Sequence, residues 1–293
     1  MEGDRIICFG EILWDLLPSG RFLGGAPYNV AYHLSRLGRS PLLASAVGRD
    51  ELGREACAAM RAAGLDTLLV AENAALPTGT VEVKLDAAGQ ASYRICENVA
   101  WDQIRATPDA GERPLALVYG SLSLRTAANR ERLNVWREAR PGLTVCDINL
   151  RAPYDDVEPL LPLIRGVDLL KLNLDEAIRL GGVEAGAPDL SRISAVIAEK
   201  FRCYTVCITM GGDGAHLWAS GQSFQALAPE VVVRDTVGAG DAFCAALIDG
   251  VLRSEGAPPW QKLLERACRL GAFVASRDGA QPEYDAGKVL GAD

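Results

Sequence analysis

Two glycine-rich stretches hold the residues best suited to chemistry. The segment Asp235-Thr236-Val237-Gly238-Ala239-Gly240-Asp241-Ala242-Phe243 places a Gly-Ala-Gly turn directly before an apolar helical pattern. The first N–H groups of a helix have no intrahelical acceptor, and the helix dipole adds partial positive charge there, so Gly238, Ala239 and Gly240 can form an anion hole. Asp241 falls in the first helical turn, where a carboxylate can take a proton from a bound hydroxyl or simply cap the helix. The second stretch, Gly24-Gly25-Ala26-Pro27-Tyr28-Asn29-Val30-Ala31, also leads into a helix. Gly24 and Gly25 allow close backbone approach, Pro27 suits a first helical turn, and the Asn29 amide can face a polyhydroxyl substrate or solvent. Asp15, at the end of the first strand pattern, adds an acceptor.

Other chemistries lack material. His33 and His216 are the only histidines, too few for a Ser-His-Asp or His-rich metal mechanism. The eight cysteines, at 8, 57, 96, 146, 203, 207, 244 and 268, sit mostly in apolar segments and are expected to be buried free thiols. The formal net charge is −8 with no Lys/Arg-rich run, which argues against a nucleic-acid partner. No apolar stretch is long enough to span a bilayer, and no signal-peptide pattern opens the chain; a cytoplasmic protein is expected.

These residues need a scaffold, and the hydrophobic pattern supplies one. Apolar runs at Ile6 to Phe9, Leu42 to Val47, Leu115 to Tyr119, Leu143 to Asp147, Leu169 to Asn173 and Tyr204 to Met210 read as strands. Helical periodicity fills Tyr28 to Leu37, Leu52 to Ala63, Ala127 to Arg140, Ile193 to Phe201 and Ala242 to Arg253. Such alternation predicts an α/β fold, a mainly parallel sheet covered by helices on both faces, with binding chemistry at the strands' carboxyl ends. From Thr78 to Arg94 the period changes to two, predicting a half-exposed hairpin that pairs with Ile12 to Leu17 and Arg21 to Leu23. That small sheet is either a cover over a cleft or an edge without function. The 293 residues, 49% of them hydrophobic, suffice for one large domain with this appendage.

Gly-Gly-Ala-Pro-Tyr-Asn-Val-Ala with Leu37-Gly38 downstream, and Asp-Thr-Val-Gly-Ala-Gly-Asp-Ala-Phe near the C-terminus, resemble in order and separation the two signatures of the ribokinase-like (PfkB) carbohydrate kinases. The resemblance spans nearly the whole chain. It implies one three-layer α/β/α domain over 1–293 with lid segments at about 12–23 and 77–100. It also implies an ATP-dependent phosphotransferase acting on a sugar hydroxyl. Asp241 would be the base, Asp15, Gly25 and Asn29 would hold the sugar, and Arg94 or Tyr93 would touch it from the lid. Asn173 and Glu176, in Lys-Leu-Asn-Leu-Asp-Glu, correspond to an N-x-x-E element that organises Mg²⁺ and phosphates partly through water; read alone, Glu176 is a first-turn helix acid. Thr209, Gly211, Gly212 and Gly214 match a segment contacting ATP, though their glycines could equally serve a hairpin.

Asp147-Ile148-Asn149-Leu150-Arg151 resembles the D-x-N-x-R segment of fructokinase-like members, in which Arg151 would approach the transferred phosphoryl group; alternatively it pairs with Asp155 or Asp156. Asp235, Val237, Val274, Arg277 and Gly279 correspond to a K⁺ loop. Neither a Walker A segment nor a protein-kinase catalytic loop is present. The resemblance leans toward fructose, with 2-keto-3-deoxygluconate, ribose or a nucleoside as other acceptors, and a catalytically silent sugar-binding protein as the reading from another class. Lids of this kind imply a homodimer.

Overall fold

The strand patterns are continuous apolar runs, and such runs must be covered on both faces. The computed structural model describes residues 5–17, 20–85, 91–182 and 189–291. In chain order it contains β1 (Ile6–Phe9), β2 (Leu13–Leu17), β3 (Gly20–Gly24), α1 (Ala26–Arg36), β4 (Pro41–Gly48), α2 (Glu51–Ala62), β5 (Val70–Asn73), β6 (Gly79–Leu85), β7 (Ala91–Ile95), β8 (Ala116–Gly120), α3 (Ala127–Glu138) and β9 (Leu143–Asp147). The remainder is α4 (Leu161–Ile164), β10 (Leu169–Asn173), α5 (Leu174–Gly181), α6 (Leu190–Phe201), β11 (Thr205–Thr209), β12 (Ala215–Ala219), β13 (Gln222–Ala226), α7 (Ala239–Arg253), α8 (Trp260–Ala275) and α9 (Ala286–Leu290).

Nine strands form one sheet in the order β13-β12-β11-β10-β9-β8-β1-β4-β5. It is parallel from β11 to β5, with β12 and β13 added antiparallel at one edge. Alternation along β1 shows the two-sided burial: Ile6 and Cys8 belong to the core that packs on α1, α7 and α8, and Ile7 and Phe9 to the core beneath α3 and α6. The three layers expected from the pattern are present.

A separate four-stranded sheet, β3-β2-β6-β7, is the predicted small sheet. Asp15 lies inside β2, opposite Phe22, and not at the end of β1. This small sheet is rooted at both ends by polar groups. At one root, Asp50 caps α2 through Gly53 N–H at 2.8 Å while its other oxygen accepts Thr78 N–H at 2.8 Å. At the other, Arg125 grips Asp102 through two bonds of 2.7 and 2.8 Å, donates to the Cys96 carbonyl, and stacks its guanidinium 4.0 Å over Trp101. Residues 18–19 and 86–90 of the expected lid segments lie outside the described residues, as does the Tyr93 side chain. All eight cysteines are free, six buried and two half-buried. No helix among the described residues is long and apolar enough to cross a membrane.

Candidate active site

The two glycine-rich stretches, 212 residues apart, meet. Asn29 Nδ2 donates to Asp241 Oδ2 at 2.7 Å, and both side chains are buried. Asn29 projects from the first turn of α1, and Asp241 from the first turn of α7. Gln281 locks the pair from the C-terminal segment, donating to Asn29 Oδ1 and to the Leu23 carbonyl. The same segment is pinned along α1 by His33, whose ring contacts the Ala280 carbonyl and the Tyr284 hydroxyl, and by Arg36, which donates to the Tyr284 carbonyl. Burial pushes the His33 pKa down to about 4, so the ring is a neutral strut. At the far end, Arg39 beyond α1 reaches the buried carboxylate of Asp249 on α7 at 2.6 Å. The two helices are thus clamped at both ends.

Helix α7 starts at Ala239, three residues before the expected Ala242, because Gly238 adopts a left-handed φ of 76° and turns the chain into it. Any side chain there would sit 2.4 Å from the Ala280 Cβ. Within the turn, Ala239 N–H already donates to the Thr236 carbonyl at 3.3 Å, so Gly238 and Gly240 are the better placed donors for an anion. Burial, reinforced by the charge of Asp147, pushes the Asp241 pKa up to about 6; the Asn29 hydrogen bond and the charges of Lys171 and Arg151 work against this rise. The ordinary value expected for a free aspartate does not hold here.

Asp15 folds over Gly24, where an added Cβ would lie 2.6 Å from its Oδ2, and burial raises its pKa to about 6. Gly25 has φ 114°, and a Cβ would meet the Glu11 carbonyl at 2.4 Å, so only glycine fits. Glu11 went unread in the sequence. It is buried, one oxygen accepts Ala26 N–H at 3.3 Å, and the other has no hydrogen-bond partner among the described residues. Burial, with a smaller contribution from Asp241, lifts its pKa to about 7. The signal available for it was a carboxylate directly after the first strand's glycine.

Arg151 is exposed and among the described residues donates only to its own neighbour's carbonyl, Leu150, at 3.1 Å; Asp155 pairs instead with Arg179, and Asp156 accepts Glu158 N–H. The alternative surface pairing of Arg151 is therefore not what forms, while its charge is felt at both Asp241 and Glu11. Arg94 is mostly exposed and pairs at 3.6 Å with Glu82, directly opposite on β6, which is a surface ion pair rather than a bond to Asp15 or Asn29.

Asn173 and Glu176 form a reciprocal cap on α5: Asn173 Oδ1 accepts Glu176 N–H at 2.9 Å and Glu176 Oε2 accepts Asn173 N–H at 2.8 Å. Glu176 Oε1 accepts Leu150 N–H at 2.7 Å, so a cation could be met only on the remaining lone pairs or through water. Among the described residues no cluster of three or more His, Cys, Asp or Glu side chains could hold a metal ion.

Thr209 ties β11 to the Leu172 carbonyl at 3.2 Å. Gly214 serves the hairpin to β12, since a Cβ would lie 2.0 Å from the Ala226 carbonyl, whereas Gly211 and Gly212 face open space where a ligand could approach. Asp235 accepts Val237 N–H at 3.0 Å and Gly279 N–H at 3.2 Å, while Val274 O accepts Arg277 N–H at 2.9 Å. The five residues of the expected cation loop are therefore neighbours, though the carboxylate itself is engaged by backbone donors.

The pfkB family carbohydrate kinase model matches residues 20–286. A fructokinase-1 of Oryza sativa subsp. japonica is 29% identical, the match covering 96% of this chain and 94% of the relative. A fructokinase of Klebsiella pneumoniae is 30% identical over 87% of this chain and 86% of its own. A sugar kinase of Pyrococcus horikoshii, solved in complex with ATP, superposes with a TM-score of 0.81 at 27% identity, covering 97% of this chain and 99% of that one.

Proposed function

The chain belongs to the pfkB family of carbohydrate kinases, and within that family we propose that it transfers the γ-phosphoryl group of ATP to a hydroxyl of fructose. The observation that carries this reading is the Asn29–Asp241 bond, which joins the sugar-side and phosphate-side stretches at one carboxylate. Fructose is supported by the fructokinases of rice and Klebsiella at 29% and 30% identity.

In this reading Asp241 Oδ1 or Oδ2 takes the proton of the attacking hydroxyl as the O–P bond forms and the bond from phosphorus to the leaving ADP oxygen breaks. A base with its pKa near 6 is mostly ionised at neutral pH yet more basic than a free aspartate, which suits proton transfer. Asn29 keeps the carboxylate oriented, and Asp15 and the bare backbone at Gly25 line the sugar side. Gly238 and Gly240 N–H groups receive the phosphoryl oxygens, Ala239 contributing mainly through the turn, and Arg151 neutralises the charge that develops. Arg94 would reach a sugar only after leaving Glu82. Gly211 and Gly212 accept ATP along an open backbone, with Thr209 and Gly214 holding the hairpin that presents them.

Mg²⁺, when bound, neutralises phosphate charge; Asn173 and Glu176 suit an outer-shell role toward it, because their first bonds are spent on the α5 cap. A K⁺ ion would use carbonyls of the Asp235, Val237, Val274, Arg277 and Gly279 loops. The second sheet acts as the lid over the sugar, excluding water that would otherwise accept the phosphoryl group. Its free edge β3, with Phe22 46% exposed, is the surface a second copy would cover in a homodimer.

The test is ADP production with Mg-ATP across fructose, ribose, 2-keto-3-deoxygluconate, glucose and adenosine, with Asp241→Asn in parallel. Turnover highest on fructose and lowered by about 10²- to 10⁴-fold in the variant is expected. A different preferred acceptor would replace fructose, and sugar binding without turnover would mean a silent binding protein.

A further inference from the structure

Lys171 and Asp147 stand directly opposite each other on β10 and β9. Lys171 Nζ donates to Asp147 Oδ2 at 2.8 Å, and the two side chains are only 7% and 8% exposed. Burying two charges is costly, and apolar residues in their place are often as stable or more so. The flanking residues Leu169, Leu170 and Leu172 are all buried, so an apolar residue at 171 would merely continue the strand. As a brace the pair is also imperfect, because Asp147 Oδ1 is buried without a hydrogen-bond partner among the described residues. Its location offers a reason: Lys171 Nζ lies 3.6 Å from the point where a side chain on Gly240 would begin, beneath the residue that precedes Asp241.

We propose that Asp147 and Lys171 are positioning residues for the phosphotransfer base, two fixed opposite charges under the start of α7 that adjust Asp241 for proton transfer. This rests on Asp241 being the base. The groups acting on Asp241 come from every side. Asp147 on β9 strengthens its hold on a proton; Lys171 on β10, Arg151 after β9 and the Asn29 amide on α1 weaken it. Glu11, after β1, titrates near it, and Cys244 lies one turn along α7. Asp147 outweighs Lys171 in this balance, second only to burial itself.

The pH dependence of kcat/KM for the sugar reads this balance, since its acid limb reports the free enzyme's base. Asp147→Asn should move the limb to lower pH and Lys171→Met to higher pH, each by on the order of one unit for the removal of one nearby charge. The double variant carries no unpaired charge, and its limb should fall between the two singles. Glu11→Gln and Asp15→Asn, made one at a time, assign the limb by removing the two other carboxylates that burial raises into this range. In the Asp147 and Lys171 variants kcat should fall while both KM values hold. Limbs that stay in place in the folded variants, double included, would reduce the pair to a strand brace and overturn the proposal. Full turnover by Asp241→Asn would instead sink the base assignment itself, so the two failures are distinguishable.

Discussion

A carboxylate buried as deeply as Asp241 costs the fold stability whenever it is ionised. Its folded pKa of about 6 lies above the ordinary 3.8, so the contribution favours folding below about pH 4 and is lost as pH rises through 6. Asp241→Asn should therefore be more stable than wild type at pH 8, by on the order of 2 kcal/mol, and no more stable at pH 4. The same variant should lose about 10²- to 10⁴-fold in kcat, so thermal melts at two pH values beside a turnover assay would show function held at the expense of stability. Gly25 is constrained the other way. Gly25→Ala forces a Cβ into the Glu11 carbonyl at a φ of 114°, and a loss of at least about 1–3 kcal/mol is expected in denaturant unfolding, with sugar affinity falling too. Asn29 and Asp241 were legible from local pattern. Glu11, Asp147 and Lys171 were not, because a buried charge is explained by its partner, and each partner sits on another strand or helix.

At the scale of elements, the small sheet proposed as a lid depends on its two roots. Asp102 and Arg125 are nearly buried at the second root, so Arg125→Ala strands a carboxylate away from water and should cost about 3–5 kcal/mol. The exposed Arg94–Glu82 pair on the lid itself should be worth at most about 1 kcal/mol, and Arg94→Ala should leave the melt nearly unchanged. Equal losses in the two variants would contradict this ranking. A loosened root should also raise KM for the sugar more than KM for ATP, since in the proposed reading Asp15 on the small sheet meets the sugar while ATP meets β10, β11 and α7. The change from helical to alternating period near Thr78 announced the hairpin. It could not announce Asp50 and Arg125 as anchors, which bind segments 28 and 29 residues away.

For the whole molecule, Mg-ATP at about 100-fold above its Kd should stabilise the fold by about 2.7 kcal/mol, seen as a rise in Tm. A lid-to-lid homodimer would sediment at twice the 31.2 kDa chain mass, and Phe22→Glu on the open β3 edge should return it to monomer; a monomer in the unaltered protein would remove that assembly. The sequence by itself determined the layers, the strand and helix types and the two glycine-rich helix starts, because hydrophobic period and glycine turns act within a few residues. Tertiary structure alone decided that Asn29 grips Asp241, that Glu176 also holds the Leu150 N–H, and that Arg94 faces Glu82. It also decided that burial lifts the Asp241 pKa to about 6. Distances between segments and the loss of water around a charge arise only when distant parts of the chain pack together, and neither is written in the order of residues.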